Sequence, residues 1–442
     1  MDQKSLQKSL SNFYQPENLV GGKRLFHYKF GFQGIAIGIL VGIFSGLLLA
    51  CFMWIIYQLS KISYGYFDRT LVMLFLPAIG LFFSTLVLKL FNFSEEKGLD
   101  SVLRSIHQKN GLISILLVPA SIISTVFTIV FGGSAGREGP GMQISASIAS
   151  WIGRLFPGRI IPLEYILIAG LSASFAALFN APIAGAIFGA EIIYIRNIEY
   201  RALIITTFSS FSSFFIYSII IGRESLFPMI SSYSFSTVQI PIFILIGLIL
   251  GGIVPIYSAI FYYMGFLRRK IRINCFVKPI IFGLVLGAFY LFYTNLFHLQ
   301  IPIWGFGRQE ILSATTHATQ ISAVVFLALF IGKTVATSLT LGAGAEGGLV
   351  LPTFYVGTML GGFLGQLFGF DPVAMTIICG LAFFGAAAHA PLTVILLAAE
   401  TTSQDFIIPV ALATVVGAFV SGEYSIFREV TRRDIMKKDI AE

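Results

Sequence analysis

The chain has 442 residues, of which 56% are hydrophobic and only 11% charged, and its mean hydropathy is +0.86. Ordinary soluble domains carry about 25% charged residues, so a soluble enzyme, a nucleic-acid-binding module and a disordered chain are excluded, and a polytopic membrane protein is indicated. The net charge of +8 sits between apolar runs and at the two ends, as expected where cytoplasmic loops favour Lys and Arg.

Residues 1–30 are polar and lack the apolar core of a signal peptide, which predicts a cytoplasmic arm, in part helical. Apolar stretches then follow almost without pause, the first over Gly34 to Leu59 and the second over Leu71 to Phe93. Others cover about 112–133, 140–152, 161–195, 202–222, 238–267, 279–298, 320–341, 349–369, 373–399 and 406–421. Some reach the roughly 20 residues that a bilayer requires. Others are short or interrupted, and 44 glycines favour close packing and broken helices over simple rods. Runs such as IAIGILVGIFSGLLLACFMWII are continuously apolar, which argues against the alternation of a membrane β-barrel. The predicted organisation is an arm (1–30), two halves of a membrane domain (31–222 and 223–426) and a basic tail (427–442).

Basic residues give the orientation. Lys4, Lys8, Lys23, Arg24 and Lys29 lie in the arm, and Arg428, Arg432, Arg433, Lys437 and Lys438 in the tail. Arg268, Arg269, Lys270 and Arg272 form an internal cluster. The positive-inside rule puts both termini and that loop in the cytoplasm, in a cell (inner) membrane. Cys51, Cys275 and Cys379 are scattered and the histidines dispersed, so no disulfide framework, metal site or cofactor is expected.

The halves echo one another. Ala181-Pro182 leads to Glu191 as Ala390-Pro391 leads to Glu400, an offset of 209, and Gly136-Arg137-Glu138-Gly139 matches Gly344-Ala345-Glu346-Gly347 at an offset of 208. Two matches in register indicate a duplication, a common transporter plan. Glu191 and Glu400 are then expected to bond backbone N–H groups, and Asn180 and His389 to cap broken helices.

The segment 132–140, GGSAGREGP, is a glycine-rich break with a new helix expected from Pro140. Irregular backbone at membrane depth must line a cavity or be buried in protein, and the unpaired N–H groups of a helix start attract anions. Glu138 has two readings there. Ionised, its carboxylate occupies the anion's place, and protonated it leaves, which makes it a gate. Alternatively it forms a fixed ion pair with Arg137. A nucleotide loop is not indicated, because Gly332-Lys333-Thr334 lacks the glycine required at position 327, which is Leu.

Gly136-Arg137-Glu138-Gly139-Pro140 resembles the GREGP signature of the CLC chloride channels and chloride/proton antiporters. Phe179 to Gly185 with Glu191, Gly344 to Pro352, Gly385 to Glu400, and Tyr424-Ser425 resemble further segments, so the likeness covers about 31–430. The resemblance implies an all-α membrane protein, an inverted repeat of tilted and broken helices, and a homodimer with one pathway per subunit. It implies chloride, with protons in some members, as the permeating species. Glu138 would be the gate, the N–H groups of Leu349 and Val350 would face the anion, and the Tyr424 hydroxyl would close the inner side. Gly98, Gly136, Arg137 and Gly139 join the expected anion site. Tyr424 also reads as an interfacial aromatic beside a basic tail.

Three positions depart from the family pattern. Lys97 stands where the family offers a serine to the anion. It either enters the pathway or extends to solvent beside Asp100. Ile192 fills the slot of a second, inner glutamate, which favours a passive channel. A proton-coupled antiporter is the alternative and a transporter for a different anion a third. Val350 replaces the usual phenylalanine, and Glu346 appears before it as a second titratable gate, a partner for Lys97, or a cap on backbone N–H groups.

Overall fold

In lipid every backbone N–H and C=O must be paired within the protein, so continuous apolar runs coil into helices. The computed structural model describes residues 16–65, 70–94, 97–223, 225–228, 233–297 and 301–430. Sixteen α-helices occur among them. The first eight are α1 (Pro16–Tyr64), α2 (Thr70–Leu90), α3 (Gly98–Gln108), α4 (Leu117–Val130), α5 (Glu138–Arg154), α6 (Leu163–Phe179), α7 (Pro182–Glu191) and α8 (Leu203–Ile220). The second eight are α9 (Ile240–Lys270), α10 (Val277–Phe297), α11 (Arg308–Thr316), α12 (Ala323–Gly342), α13 (Val350–Phe368), α14 (Pro372–Ala388), α15 (Pro391–Thr401) and α16 (Ile407–Val420).

Among the described residues, seven helical segments are long and apolar enough to cross a membrane: Phe30–Ser63, Thr70–Leu90, Tyr200–Ile220, Thr237–Lys270, Val277–Phe297, Ala323–Gly342 and Val350–Phe368. Others, such as the 14 residues of α4, are about 21 Å long at 1.5 Å per residue and stop short of a hydrocarbon core of about 30 Å. These short helices bring backbone ends into the interior. Helix α1 begins at Pro16, while residues 1–15 lie outside the described ones. At the other end, Phe427 and Val430 are buried and Arg104 pairs with Glu429 at 2.8 Å, so 427–430 belong to the packed body. The rest of the predicted tail, 431–442, lies outside the described residues.

The repeat is visible as structure. Helix α6 ends on Asn180 and α14 on His389, both left-handed (φ 53 and 55), and each is followed by Ala and a proline that opens the next helix. Asn and His tolerate this conformation better than branched residues do. The acids of the repeat cap across the halves. Glu191 accepts from the N–H of Leu392 (2.9 Å), the N–H of Thr393 (2.8 Å) and the Thr393 hydroxyl (2.6 Å). Glu400 accepts from the N–H groups of Ile183 (2.9 Å) and Ala184 (2.7 Å). The starts of α7 and α15 are thereby filled by the protein's own carboxylates.

Close approach holds the long helices together. Along α1, Gly38, Gly42 and Gly46 lie against the carbonyls of Ile205, Ser209 and Ser213 on α8, and a Cβ on Gly38 or Gly46 would come within 2.7 or 2.8 Å. Small residues four apart admit a second backbone in this way, and dispersion between the helices replaces a hydrophobic drive that lipid does not supply.

Candidate functional site

The two repeated glycine loops meet. The Gly136 N–H donates to the Gly348 carbonyl (2.8 Å), and the Gly348 N–H donates to the Gly136 carbonyl (2.7 Å), a single antiparallel bridge between the halves. No side chain fits between them: a Cβ on Gly139 would lie 2.8 Å from Gly348 Cα, and one on Gly348 would lie 2.6 Å from Gly139 N. Ser134 anchors the first loop by donating its hydroxyl to the Ile303 carbonyl (2.9 Å), while its N–H donates to Thr340 Oγ1 (2.9 Å).

Helix α5 begins at Glu138, two residues before the start expected at Pro140. The proline is accommodated because first-turn N–H groups have no partner within the helix. Glu138 is fully buried. Its Oε1 lies 3.3 Å from Arg137 Nε, and its Oε2 has no hydrogen-bond partner among the described residues. The carboxylate folds back over Gly136, where a Cβ would be 2.7 Å from Oε2 and 2.9 Å from Pro352 Cδ. The N–H of Leu351, in the first turn of α13, is among the groups acting on it. Arg137, itself 1% exposed, is held elsewhere. Its Nη1 donates to the Tyr57 hydroxyl (2.8 Å), and its guanidinium stacks 4.9 Å from the Phe306 ring centre. The ion pair is real, but it satisfies only half of the carboxylate. A buried acceptor left unpaired is costly, more so for a charged group.

Three helix starts converge beside this carboxylate. Helix α13 begins at Val350 after Leu349, and α3 begins at Gly98 after Lys97, with Gly98 left-handed (φ 52) and packed toward the Gly347 carbonyl. A cavity of about 140 Å³ lies among Lys97, Gly98, Gly139, Gly348 and Leu349. A water's share of liquid volume is about 30 Å³, so there is room for a partly hydrated small anion. The cavity adjoins a vestibule of about 510 Å³, with which it shares Lys97, Asp100, Leu341 and Leu349. Arg104, Arg268, Arg269, Lys278 and Arg428 line that vestibule, so its field draws anions inward. Asp100, outside the long apolar spans, is pushed up to about 6 by burial, opposed by the Glu429 backbone N–H. A separate cavity of about 220 Å³ is lined by Tyr57, Phe306 and Glu310. Glu138 thus stands between Gly139, which lines the first cavity, and Arg137, whose partners line the other.

The structure brings together Lys97, Gly98, Gly136, Arg137, Glu138, Gly139, Leu349 and Val350. It does not bring Tyr424, which must be corrected. That residue is 55% exposed and absent from both cavities on the basic side. Its backbone carbonyl lies 3.1 Å from His389 Nε2, and Ser425 Oγ donates to the Ala387 carbonyl, so the backbone is tied inward at 424–425 while the ring stays out. Tyr262 of α9 lines the vestibule instead and donates its hydroxyl to the Ser425 carbonyl. Lys97 lines both basic-side cavities and donates to the Gly344 carbonyl. Glu346 accepts the Gly98 N–H at 3.1 Å, which is the capping reading. Lys333 is fully buried and donates to the carbonyls of Ile303 and Gly305, an arrangement that leaves nothing for a phosphate. Tyr57 and Phe306 were not legible in the sequence. They are remote from Arg137 along the chain, and an aromatic beside an apolar run gives no signal of what it stacks on.

Comparison with known proteins accords with this geometry. An uncharacterized protein of Methanocaldococcus jannaschii is 30% identical over 340 residues, covering 75% of this chain and 81% of the relative. An H(+)/Cl(-) exchange transporter of Vibrio parahaemolyticus is 28% identical over 317 residues, covering 69% of this chain and 66% of the relative. The crystal structure of a CLC-type fluoride/proton antiporter superposes with a TM-score of 0.80 at 26% identity, covering 90% of this chain and 98% of that one. The family profile described as voltage gated chloride channel matches residues 79–422, and the chain therefore belongs to the CLC family of multi-pass anion transport proteins.

Proposed function

We propose that the protein exchanges a small inorganic anion, chloride in the first instance, for protons, with Glu138 serving both as plug and as proton carrier. The observation that carries this reading is the Glu138 carboxylate: fully buried, with one oxygen paired to Arg137, the other without a hydrogen-bond partner among the described residues, and the Leu351 N–H of the first turn of α13 acting on it. An anion that reaches the amides of Leu349 and Val350 competes with that carboxylate for the same positive end of a helix. Protonation removes the carboxylate's claim and opens the way, so anion entry and proton uptake are linked. Relatives named as exchangers and antiporters favour this coupling over a passive channel. Ile192, buried where an inner acid would sit, favours the channel as the second reading. The fluoride specificity in one neighbour's name, together with Lys97 in the place of a serine, keeps another anion as a third.

The basic vestibule faces the cytoplasm by the positive-inside rule, with both termini on that side. All residues of this proposed pathway come from one chain, which supports a homodimer with one pathway in each subunit. Reconstituted liposomes test the proposal. Under a pH gradient the reversal potential of an exchanger shifts with the proton gradient, and that of a channel does not. Glu138→Gln, which mimics the neutral acid, yields anion flux with little pH dependence. Flux in this variant that stays as pH-dependent as in the wild type refutes the gate.

A further inference from the structure

We infer that Glu346 is a second displaceable carboxylate, which holds the start of α3 in place of an anion and takes up a proton when an anion displaces it. The inference rests on reading the adjoining cavity as an anion site.

Glu346 is fully buried on the loop that pairs with the Glu138 loop. Across the Gly136–Gly348 bridge the two acids are counterparts, one two residues after its glycine and the other two residues before. The duplication places Glu346 four residues ahead of α13, so its side chain does not lie on its own helix. It reaches α3 instead, where Oε1 accepts the Gly98 N–H at 3.1 Å. That amide is the first of the helix, and its natural ligand is an anion. The other oxygen, Oε2, is buried and has no hydrogen-bond partner among the described residues. The neighbours Ala345 and Gly347 line the 140 Å³ cavity.

The groups facing Glu346 come from several elements. Lys97, ahead of α3, donates its ammonium to the Gly344 carbonyl and attracts the carboxylate. From α9 the Arg268 guanidinium packs against Gly344. From α2 the Ser84 hydroxyl accepts the Glu346 N–H at 3.0 Å. Both Lys97 and Arg268 line the vestibule, and Lys97 lines the inner cavity as well. An incoming halide therefore competes with Glu346 for the Gly98 amide and for Lys97 together. Once displaced, the carboxylate loses the one hydrogen-bond donor it has among the described residues, in a buried site where the charged form is disfavoured. A hydronium ion or buffer acid in the vestibule then gives it a proton: the donor's bond to hydrogen breaks, an O–H bond forms on the carboxyl, and water or the buffer base is left behind. This supplies a proton-accepting acid on the side where Ile192 supplies none.

The test uses the purified full chain, with Glu138 neutralised so that it cannot contribute. Sodium chloride and sodium fluoride are titrated calorimetrically in buffers of different ionisation enthalpy, which yields the protons taken up per anion bound. Glu138→Gln is expected to retain uptake. The double variant Glu138→Gln with Glu346→Gln is expected to lose it and to bind the halide several-fold more tightly at neutral pH. Equal uptake in the two overturns the inference, as does an absence of halide binding or of uptake in Glu138→Gln. Infrared difference spectra of Glu138→Gln on halide addition need no change at 346. A protonated-carboxyl band is expected, and its absence overturns the inference. Wild-type liposomes that ignore a pH gradient while this uptake persists would sink the exchange reading and leave Glu346 standing.

Discussion

Glu191→Ala removes the acceptor of three hydrogen bonds that join the first half of the chain to the second. The contacts to the Leu392 N–H, the Thr393 N–H and the Thr393 hydroxyl measure 2.9, 2.8 and 2.6 Å, and the glutamate is only 4% exposed. Hydrogen bonds to charged groups contribute about 1.5–3 kcal/mol each. Such terms are not additive within one cluster, and the ionised carboxylate's own desolvation is relieved when it is removed. A net loss of roughly 3–5 kcal/mol follows, a large fraction of the 5–15 kcal/mol typical of a folded protein. Glu400 makes the mirror-image contact with two bonds, to the Ile183 and Ala184 N–H groups, and is only partly buried. Its alanine variant is expected to lose roughly half as much. Heat or denaturant titration of the purified protein in detergent, followed by tryptophan fluorescence, measures both. Glu191→Ala within about 0.5 kcal/mol of the wild type, the scatter of ordinary surface substitutions, would refute the idea that these carboxylates hold the helix starts together. So would a larger loss for Glu400→Ala.

Two further outcomes follow from the site. Tyr57→Phe removes the hydroxyl that accepts from Arg137 Nη1, leaving a buried guanidinium short of one partner at a cost of about 1–3 kcal/mol; anion flux in liposomes should fall while its pH dependence stays, and flux equal to wild type would show that Arg137 needs no such anchor. Asp100, pushed up to about 6 by burial, is a carboxyl whose folded value exceeds its unfolded one near 3.9. Its stabilising contribution is full below pH 4 and is lost as pH rises through 6, by at most about 3 kcal/mol for a shift of two pH units. Asp100→Asn should therefore gain stability relative to wild type between pH 4 and pH 7, and a constant difference across that range would contradict this account.

Much of the architecture follows from local rules. Unbroken apolar runs exclude strands, and the paired motifs at offsets of 208 and 209 locate the loops that touch at Gly136 and Gly348. Asn180 and His389 stand before Ala-Pro, where only a helix end is sterically comfortable, and both close a helix in the left-handed region. What escapes is whatever depends on contacts across the fold. Glu191 and Glu400 read as acids needing backbone donors, but nothing in either motif says that the donors belong to the opposite half. The start of α5 falls at Glu138 because the loop is fixed from outside by Gly348, a constraint that a proline rule does not contain. Tyr424 follows the last apolar run in both readings of the sequence. The direction of its ring is decided by His389 and Ala387, which seize the backbone beside it.

The mutual clasp of the two acids also bears on how the chain is made. Residues 183 and 184 leave the ribosome more than two hundred positions before the carboxylate that receives them. Until residue 400 arrives, the opening turn of α7 sits in the nascent first half with its strongest acceptor missing. Neither half is finished alone, and the final step of assembly is an exchange of endings between two segments of ancestry in common.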